Sequence, residues 1–232
     1  MLLQKIYNFM KNYAIKIFLG IVVLTVLFFL FARKQQPKNV FVSSPQPSRQ
    51  EEKIIIEKLQ LVSKPFFAPL DRCGDRVSKK PFGIFITPDT SPVQPERFGG
   101  FHTGTDFEIF ATQKDERVFV EAVCDGRVVY EGFVAGYGGV LVEECVFDDE
   151  TVTVLYGHLA APDILFHKDD KVITGAKIGG LGNDRTSETD GERKHLHLSV
   201  KKGTHIDFRG YVTTEEELKK WIDPLSTLVC EQ

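Results

Sequence analysis

The sequence predicts a mainly β protein, a compact antiparallel sandwich or barrel, behind one N-terminal transmembrane helix. Three observations carry this. Ile17 to Ala32 is an unbroken apolar run without a charge. From about Phe66 onward, short runs rich in Val, Ile, Phe and Tyr alternate with Gly, Asp, Asn and Pro, the spacing of an all-β sandwich or barrel. Lys194-His195-Leu196-His197-Leu198-Ser199-Val200 alternates polar with apolar residues, the period of a strand with one buried face.

Residues 1–12 read as a short basic tail on the cytoplasmic side. From Tyr13 to Ala32 there are 20 residues, roughly 30 Å of helix at about 1.5 Å per residue, enough to cross a bilayer. Lys16 falls in the first turn, where its stem can snorkel to the head groups. A cleaved signal peptide is the competing reading. It requires small residues before the cut, and a bulky Leu30 stands in the way of a cut after Ala32, so a retained anchor over 13–32 is expected. Lys5, Lys11 and Lys16 are matched by Arg33, Lys34 and Lys38 beyond the run, so the positive-inside rule does not decide orientation. A single N-terminal anchor by default leaves its short tail inside. The expected location is the cell membrane, single-pass, with the rest extracytoplasmic. Residues 33–65 form the linker. Arg33 to Gln50 is polar and turn-rich, a tether, and the pattern of Glu51 to Val62 fits a short helix or a strand.

The expected domain is 66–232. Strands are expected at Gly83–Ile86, Arg117–Val123, Arg127–Tyr130, Val140–Glu143 and Thr151–Tyr156, separated by turn signals at Asp125-Gly126, Gly136-Tyr137-Gly138-Gly139 and Asp148-Asp149. Only Thr214 to Ile222 looks helical, with Thr214 as N-cap, Glu215, Glu216 and Glu217 in the first turn and Lys219 and Lys220 in the last. No internal repeat is present. A composition of 42% hydrophobic and 26% charged residues places the bulk of the chain among ordinary globular proteins. Beyond residue 32 the chain carries 26 basic against 32 acidic residues, which argues against nucleic acid as a partner. The four cysteines, Cys73, Cys124, Cys145 and Cys230, contain no C-x-x-C pair, which disfavours a zinc knuckle or redox motif. In an exported domain an even number favours disulfides. Cys124 and Cys145 each follow or end a strand-like run, so Cys124–Cys145 and Cys73–Cys230 are the preferred pairs, with buried free thiols the alternative.

Two histidines at i and i+2 on a strand share a face. His195 and His197 therefore project together, and two imidazoles side by side need partners. A metal site supplies them. His102 and Asp106 are separated by three residues including Gly104, which lets the backbone bend between them. With one histidine of the pair they make three ligands, which leaves a fourth tetrahedral position open, the mark of a catalytic zinc site. Zinc in such a site lowers the pKa of a water towards about 7 and polarises a carbonyl. The spare histidine of the pair and His158, at the end of a strand, suit proton transfer, because imidazole titrates near working pH. Tyr156 is a candidate substrate-binding group, with a packed strand aromatic as the alternative reading. His167 and His205 read as surface residues, and the Gly136–Gly139 cluster as a β-turn rather than a phosphate cradle, since no helix follows it.

These residues resemble the lysostaphin/LytM-type zinc metallopeptidases, exported endopeptidases that cut peptidoglycan peptides. The likeness runs collinearly from about Lys80 to Lys202, through Phe101-His102-Thr103-Gly104-Thr105-Asp106, Cys124–Tyr130, Gly136–Gly139, Leu155-Tyr156-Gly157-His158-Leu159, Val172–Gly179 and His195-Leu196-His197. The resemblance implies that His102, Asp106 and His197 bind Zn2+ and that His158 and His195 are the catalytic histidines. It also implies a duplicated hybrid motif with the zinc in a groove. The chain departs from the pattern in one place: Asn183 to Lys194 is longer and more charged than the family's short turn ending in Gly-Pro, and should wall the groove. The function expected is a membrane-anchored zinc endopeptidase acting on peptidoglycan peptides, as a monomer. The alternatives are a non-catalytic or regulatory domain of the same fold that binds cell wall or activates a partner hydrolase, and a peptidase for a protein or bacteriocin-like target. Modules of the non-catalytic kind typically lose zinc ligands, and this chain has lost none.

Overall fold

The computed structural model describes residues 66–230. The expected tail, anchor and linker lie outside the described residues, and among the described residues no helix is long and apolar enough to cross a membrane. The chain forms β1 (Phe66–Phe67), β2 (Phe85–Ile86), β3 (Gly100–His102), β4 (Thr105–Glu108), β5 (Phe119–Glu121), β6 (Gly126–Val134) and β7 (Gly138–Phe147). It continues through β8 (Glu150–Leu159), β9 (Lys171–Val172), β10 (Lys177–Gly180), β11 (His195–Lys202), β12 (Tyr211–Val212), β13 (Trp221–Ile222) and β14 (Leu228–Val229). Two one-turn helices, α1 (Glu215–Leu218) and α2 (Pro224–Thr227), complete it. The protein is therefore mainly β, and nearly every strand pair is antiparallel. The five strand-like runs of the sequence and the His-x-His strand all appear.

The principal sheet runs β13-β11-β8-β7-β6-β9, with β4 also paired to β11. Its centre is the meander β6-β7-β8. The first hairpin turns through Ala135, Gly136 and Tyr137, the second through Asp148 and Asp149, both at positive φ (50° and 61°), as a two-residue type I′ turn requires. The strand β11 has two partners along one edge, β4 against its first half and β13 against its second, while β8 runs along the other. Its Leu196, Leu198 and Val200 are fully buried among Phe107, Val154 and Tyr156. Burying one such leucine is worth about 1.5–3 kcal/mol, so a one-residue slip of β11 would lose the core contacts and turn the histidines inward.

The helix over Thr214 to Ile222 is shorter than the sequence suggests. Thr214 caps it, its hydroxyl accepting from Glu217 N–H at 3.2 Å, but α1 stops at Leu218. Trp221 and Ile222 leave it to pair with Lys201 and Val200 of β11. Burial of the Trp221 ring on the sheet overrides the helical propensity of the acidic and basic turns. The cysteines pair as Cys73–Cys230 and Cys124–Cys145, with none free. The first joins the two ends of the described domain, where β1 and β14 also pair.

One core group is costly. Glu143 of β7 is fully buried. Tyr156 OH donates to its Oε1, Cys124 Sγ lies 3.1 Å from the same oxygen, and Oε2 has no partner. Burial pushes its carboxyl up to about 8, against the Tyr156 hydrogen bond, with Asp125 adding to the rise. The folded chain thus holds a proton on Glu143 that the unfolded chain releases at a carboxylate's ordinary 4.5. Stability must fall as pH rises between those two values, by at most about 5 kcal/mol. Glu143→Gln removes this titration. Its melting temperature should exceed that of the wild type at pH 8, and the difference should shrink towards pH 5, as thermal unfolding across that range will show.

Candidate metal centre

The register of β11 assembles the site. His197 pairs directly with Asp106 of β4 on one side and Gly157 of β8 on the other, and His195 pairs with Glu108. Directly opposed residues of an antiparallel pair project to the same face, so His195, His197, Asp106 and Glu108 stand together. The third element is β3, whose last residue is His102. Its neighbour β12 sets Tyr211 opposite, and the two rings stack at 5.1 Å. His158 follows Gly157 on β8 and takes φ 63°. A left-handed histidine inside a strand is a strained conformation of the kind that gathers at functional sites.

Three donor atoms converge. His102 Nε2 lies 3.1 Å from His197 Nδ1 and 3.4 Å from Asp106 Oδ1, and His197 Nδ1 lies 3.1 Å from the same oxygen. A tetrahedral metal with ligand bonds of about 2.0–2.1 Å separates its ligands by roughly 3.3 Å, so the triangle has the edge that zinc needs. All three residues are buried. Burial and the neighbouring His102 and His195 push His197 down to about 4, although Asp106 resists. Burial alone would raise Asp106, but His195, His102 and Arg193 outweigh it and hold the carboxyl well below its usual range. Neutral imidazole with ionised carboxylate is the protonation state that metal ligands require. The far sides are supplied as well: His102 Nδ1 donates to Pro81 O at 3.2 Å, and His197 Nε2 sits 3.3 Å from Tyr137 OH. Such outer partners fix the tautomer of a ligating histidine. The residues therefore fit a divalent metal. Among the described residues one other trio, Cys124, Glu143 and Cys145, is close enough, but its sulfurs are joined in a disulfide.

His158 and His195 face this centre as a pair, their rings 4.3 Å apart. His195 Nδ1 donates to Arg193 O at 2.8 Å, which leaves Nε2 as its free atom, 3.3 Å from Asp106 Oδ2. Burial, then His195 and His197, hold His158 well below the ordinary imidazole range, and its buried Nδ1 has no partner. These groups line a groove of about 320 Å³ together with Phe98, Tyr137, Glu192, Arg193 and Tyr211. Tyr156 is not among them. Its ring is fully buried and its hydroxyl turns into the core, donating to Glu143 and accepting from Val123 N–H. The tyrosines of the groove are Tyr137 and Tyr211. The sequence offered Tyr137 only as part of a glycine-rich turn, and the same turn brings its ring to 5.1 Å from His197 and 5.4 Å from His158. His167 and His205 are exposed, as expected, and neither lines the groove.

The charged stretch 183–194 does wall the groove, through Glu192 and Arg193. It is tied down rather than loose. Asp190 Oδ2 accepts from Gly136 N–H at 2.7 Å, and Arg97 reaches both Asp190 and Glu192. Gly138 at φ 78° permits this packing, since a Cβ there would stand 1.8 Å from Glu188 O. Sequence reasoning missed Glu108 and Arg193: Glu108, two residues from Asp106 on β4, carried the signal of strand alternation, whereas Arg193 lies in the loop just before β11 and carried none.

Gly104 sits where a Cβ would lie 2.5 Å from Leu198 O and 2.6 Å from His197 Nε2. Gly104→Ala should push β11 from the turn before β4, cost about 1–3 kcal/mol as overpacking does, and displace His197. Thermal melts with metal analysis should show stability and bound metal falling together.

No curated protein matches the chain. Among solved structures, the chain is similar to the catalytic domain of the antimicrobial peptidase lysostaphin from Staphylococcus simulans, at 20% identity over 63% of this chain and 86% of that one, with a TM-score of 0.43. It is also similar to cbpa from L. salivarius REN, at 22% identity over 70% and 93% with a TM-score of 0.46. LytU gives 20% identity over 65% and 92% with a TM-score of 0.40. Residues 100–208 match the family model of Peptidase family M23, a span that contains all five residues of the His-Asp-His cluster and the histidine pair.

Proposed function

We propose that the protein is a zinc-dependent endopeptidase that hydrolyses peptide bonds of peptidoglycan, held at the membrane by residues 13–32 with its domain outside the cell. The observation that supports this best is the triangle of His102 Nε2, Asp106 Oδ1 and His197 Nδ1, with edges of 3.1–3.4 Å, beside the His158/His195 pair. Those three atoms would hold the metal. Bound zinc supplies a Lewis acid that polarises a scissile carbonyl and makes a water nucleophilic at neutral pH.

The chain's own residues supply the rest. His195, with Nδ1–H committed to Arg193 O, has Nε2 free to take a proton from the attacking water. His158, whose ring lies 4.3 Å from that of His195 and which burial keeps neutral and so able to accept, would take that proton from His195 and pass it on to the leaving amine. With Nδ1 of His197 given to a metal, its Nε2–H would donate to the oxygen of Tyr137 3.3 Å away, which would leave the phenol proton for a developing oxyanion. Burial, then Asp106 and Asp207, hold the Tyr137 hydroxyl far above the usual phenol range, so it stays a donor across the working pH. The buried ion pair of Lys80 and Glu96, with Lys80 Nζ also donating to Tyr211 OH at 3.1 Å, stiffens the wall behind His102.

The test is metal content and turnover of the purified full-length chain. About one zinc per chain is expected, lost in Asp106→Ala and in His197→Ala. His158→Ala should keep its zinc and lose about 100-fold or more in turnover of peptidoglycan peptides. A wild-type chain that takes up no zinc even after addition sinks the enzyme reading in favour of a binding or regulatory module. Full activity in His158→Ala would remove that residue's assigned role alone.

A further inference from the structure

Arg193 and Glu108 are charged and buried against the metal centre, and the chemistry above gives them no task. Arg193 Nη2 donates to Asp106 Oδ2 at 2.8 Å and to Glu108 Oε1 at 2.6 Å, while its Nε reaches both oxygens of Glu108 at 3.0 and 3.1 Å. The three side chains are 8%, 3% and 11% exposed for Arg193, Asp106 and Glu108. One guanidinium thus bridges two carboxylates. Asp106 divides its oxygens as a result: Oδ1 faces His102 and His197, and Oδ2 is taken by Arg193.

We propose that Arg193 is a positioning residue that fixes Asp106 as a one-oxygen ligand, with Glu108 fixing Arg193 in turn, and that metal occupancy is thereby coupled to the order of the 183–194 loop. The inference rests on the metal-centre reading. A free carboxylate rotates about its side-chain bonds and can present either oxygen or both. A rigid guanidinium fork removes that freedom, which an ammonium cannot do. The positive charge of Arg193 and the negative charge of Glu108 nearly cancel at the site, so their joint contribution is orientation rather than field. Arg193 also ends the loop whose middle is pinned through Asp190 to Gly136 and Arg97. Among the loop's anchors, one is on the hairpin and the second, through Arg193, is on a metal ligand. A metal that holds Asp106 holds the second anchor, and by linkage an ordered loop raises metal affinity by the same factor.

The full-length chain is titrated with zinc in competition with a chromophoric chelator, and backbone hydrogen exchange over 183–194 is followed with and without zinc. Arg193→Met and Glu108→Gln should each weaken zinc by about 10–100-fold, the range for outer partners of metal ligands. Arg193→Lys keeps the charge but cannot span both carboxylates, and should recover only part of the loss. Lys79 Nζ, 3.1 Å from Glu108 Oε2, keeps that carboxylate paired in Arg193→Met, so adding Glu108→Gln to Arg193→Met should change zinc affinity little, as expected if Glu108 acts through Arg193. Zinc should slow exchange in the loop of the wild type and leave that of Arg193→Met unchanged. Zinc affinity within about threefold of wild type in a folded Arg193→Met chain, or loop exchange indifferent to zinc in the wild type, overturns the proposal while the metal centre stands. Failure of the wild type to bind zinc overturns the metal-centre reading and this inference with it.

Discussion

The pairing of His197 with Asp106 across β11 and β4 is the contact on which the rest of the site depends. Once those two residues oppose one another, the two-residue period of a strand settles the positions of His195 and Glu108 on one face. It also sends Leu196 and Leu198 to the other. The same register therefore builds the polar centre and the apolar core at once. Neither can move by a residue without ruining its counterpart, because the core leucines and the histidines exchange faces together. The energy that holds this arrangement comes from burial of Phe107, Leu196, Leu198 and their neighbours. The costs are concentrated in a few groups: a left-handed His158, a buried Asp106 and a protonated Glu143.

The charges around the centre follow one logic. Two buried pairings of opposite sign flank the groove: Asp106 and Glu108 share Arg193, and Lys80 takes Glu96. Breaking such a pair costs far more than forming it gains. His158 and His197 are held below the ordinary imidazole range by the same dry surroundings, which suits the one as a proton carrier and the other as a ligand. Glu143 obeys the rule from the other direction. Among the described residues its hydrogen-bond partners are a phenol and a sulfur and not a cation, so it stays protonated instead of being paired.

Much of this was legible in the residues. Alternation in His195–Val200 announced a half-buried strand, and the spacing of His102, Asp106 and the His-x-His pair announced a three-ligand set with a spare histidine. Turn residues marked the hairpins of the meander. What could not be read were contacts made across the chain by residues with no pattern of their own. Arg193 looked like one charge in a polar loop, and only the β11–β4 register shows that it meets Asp106. Tyr156 and Tyr137 illustrate the same limit. Both stand in glycine-flanked strand or turn contexts, and strand phase alone does not say which hydroxyl turns to the groove. The helix over Thr214–Ile222 was overextended because capping and charge are local signals, whereas the pull of Trp221 onto β11 is not local.

The closure of the domain at its base has a mechanical consequence. The chain arrives at Phe66 and departs near Cys230 on adjacent strands, and Cys73 is bonded to Cys230. A tension applied at the N-terminal end reaches that covalent staple within a few residues of entering the domain. Such a load meets β1, its partner β14 and the staple before it meets the ladder between β4, β11 and β8.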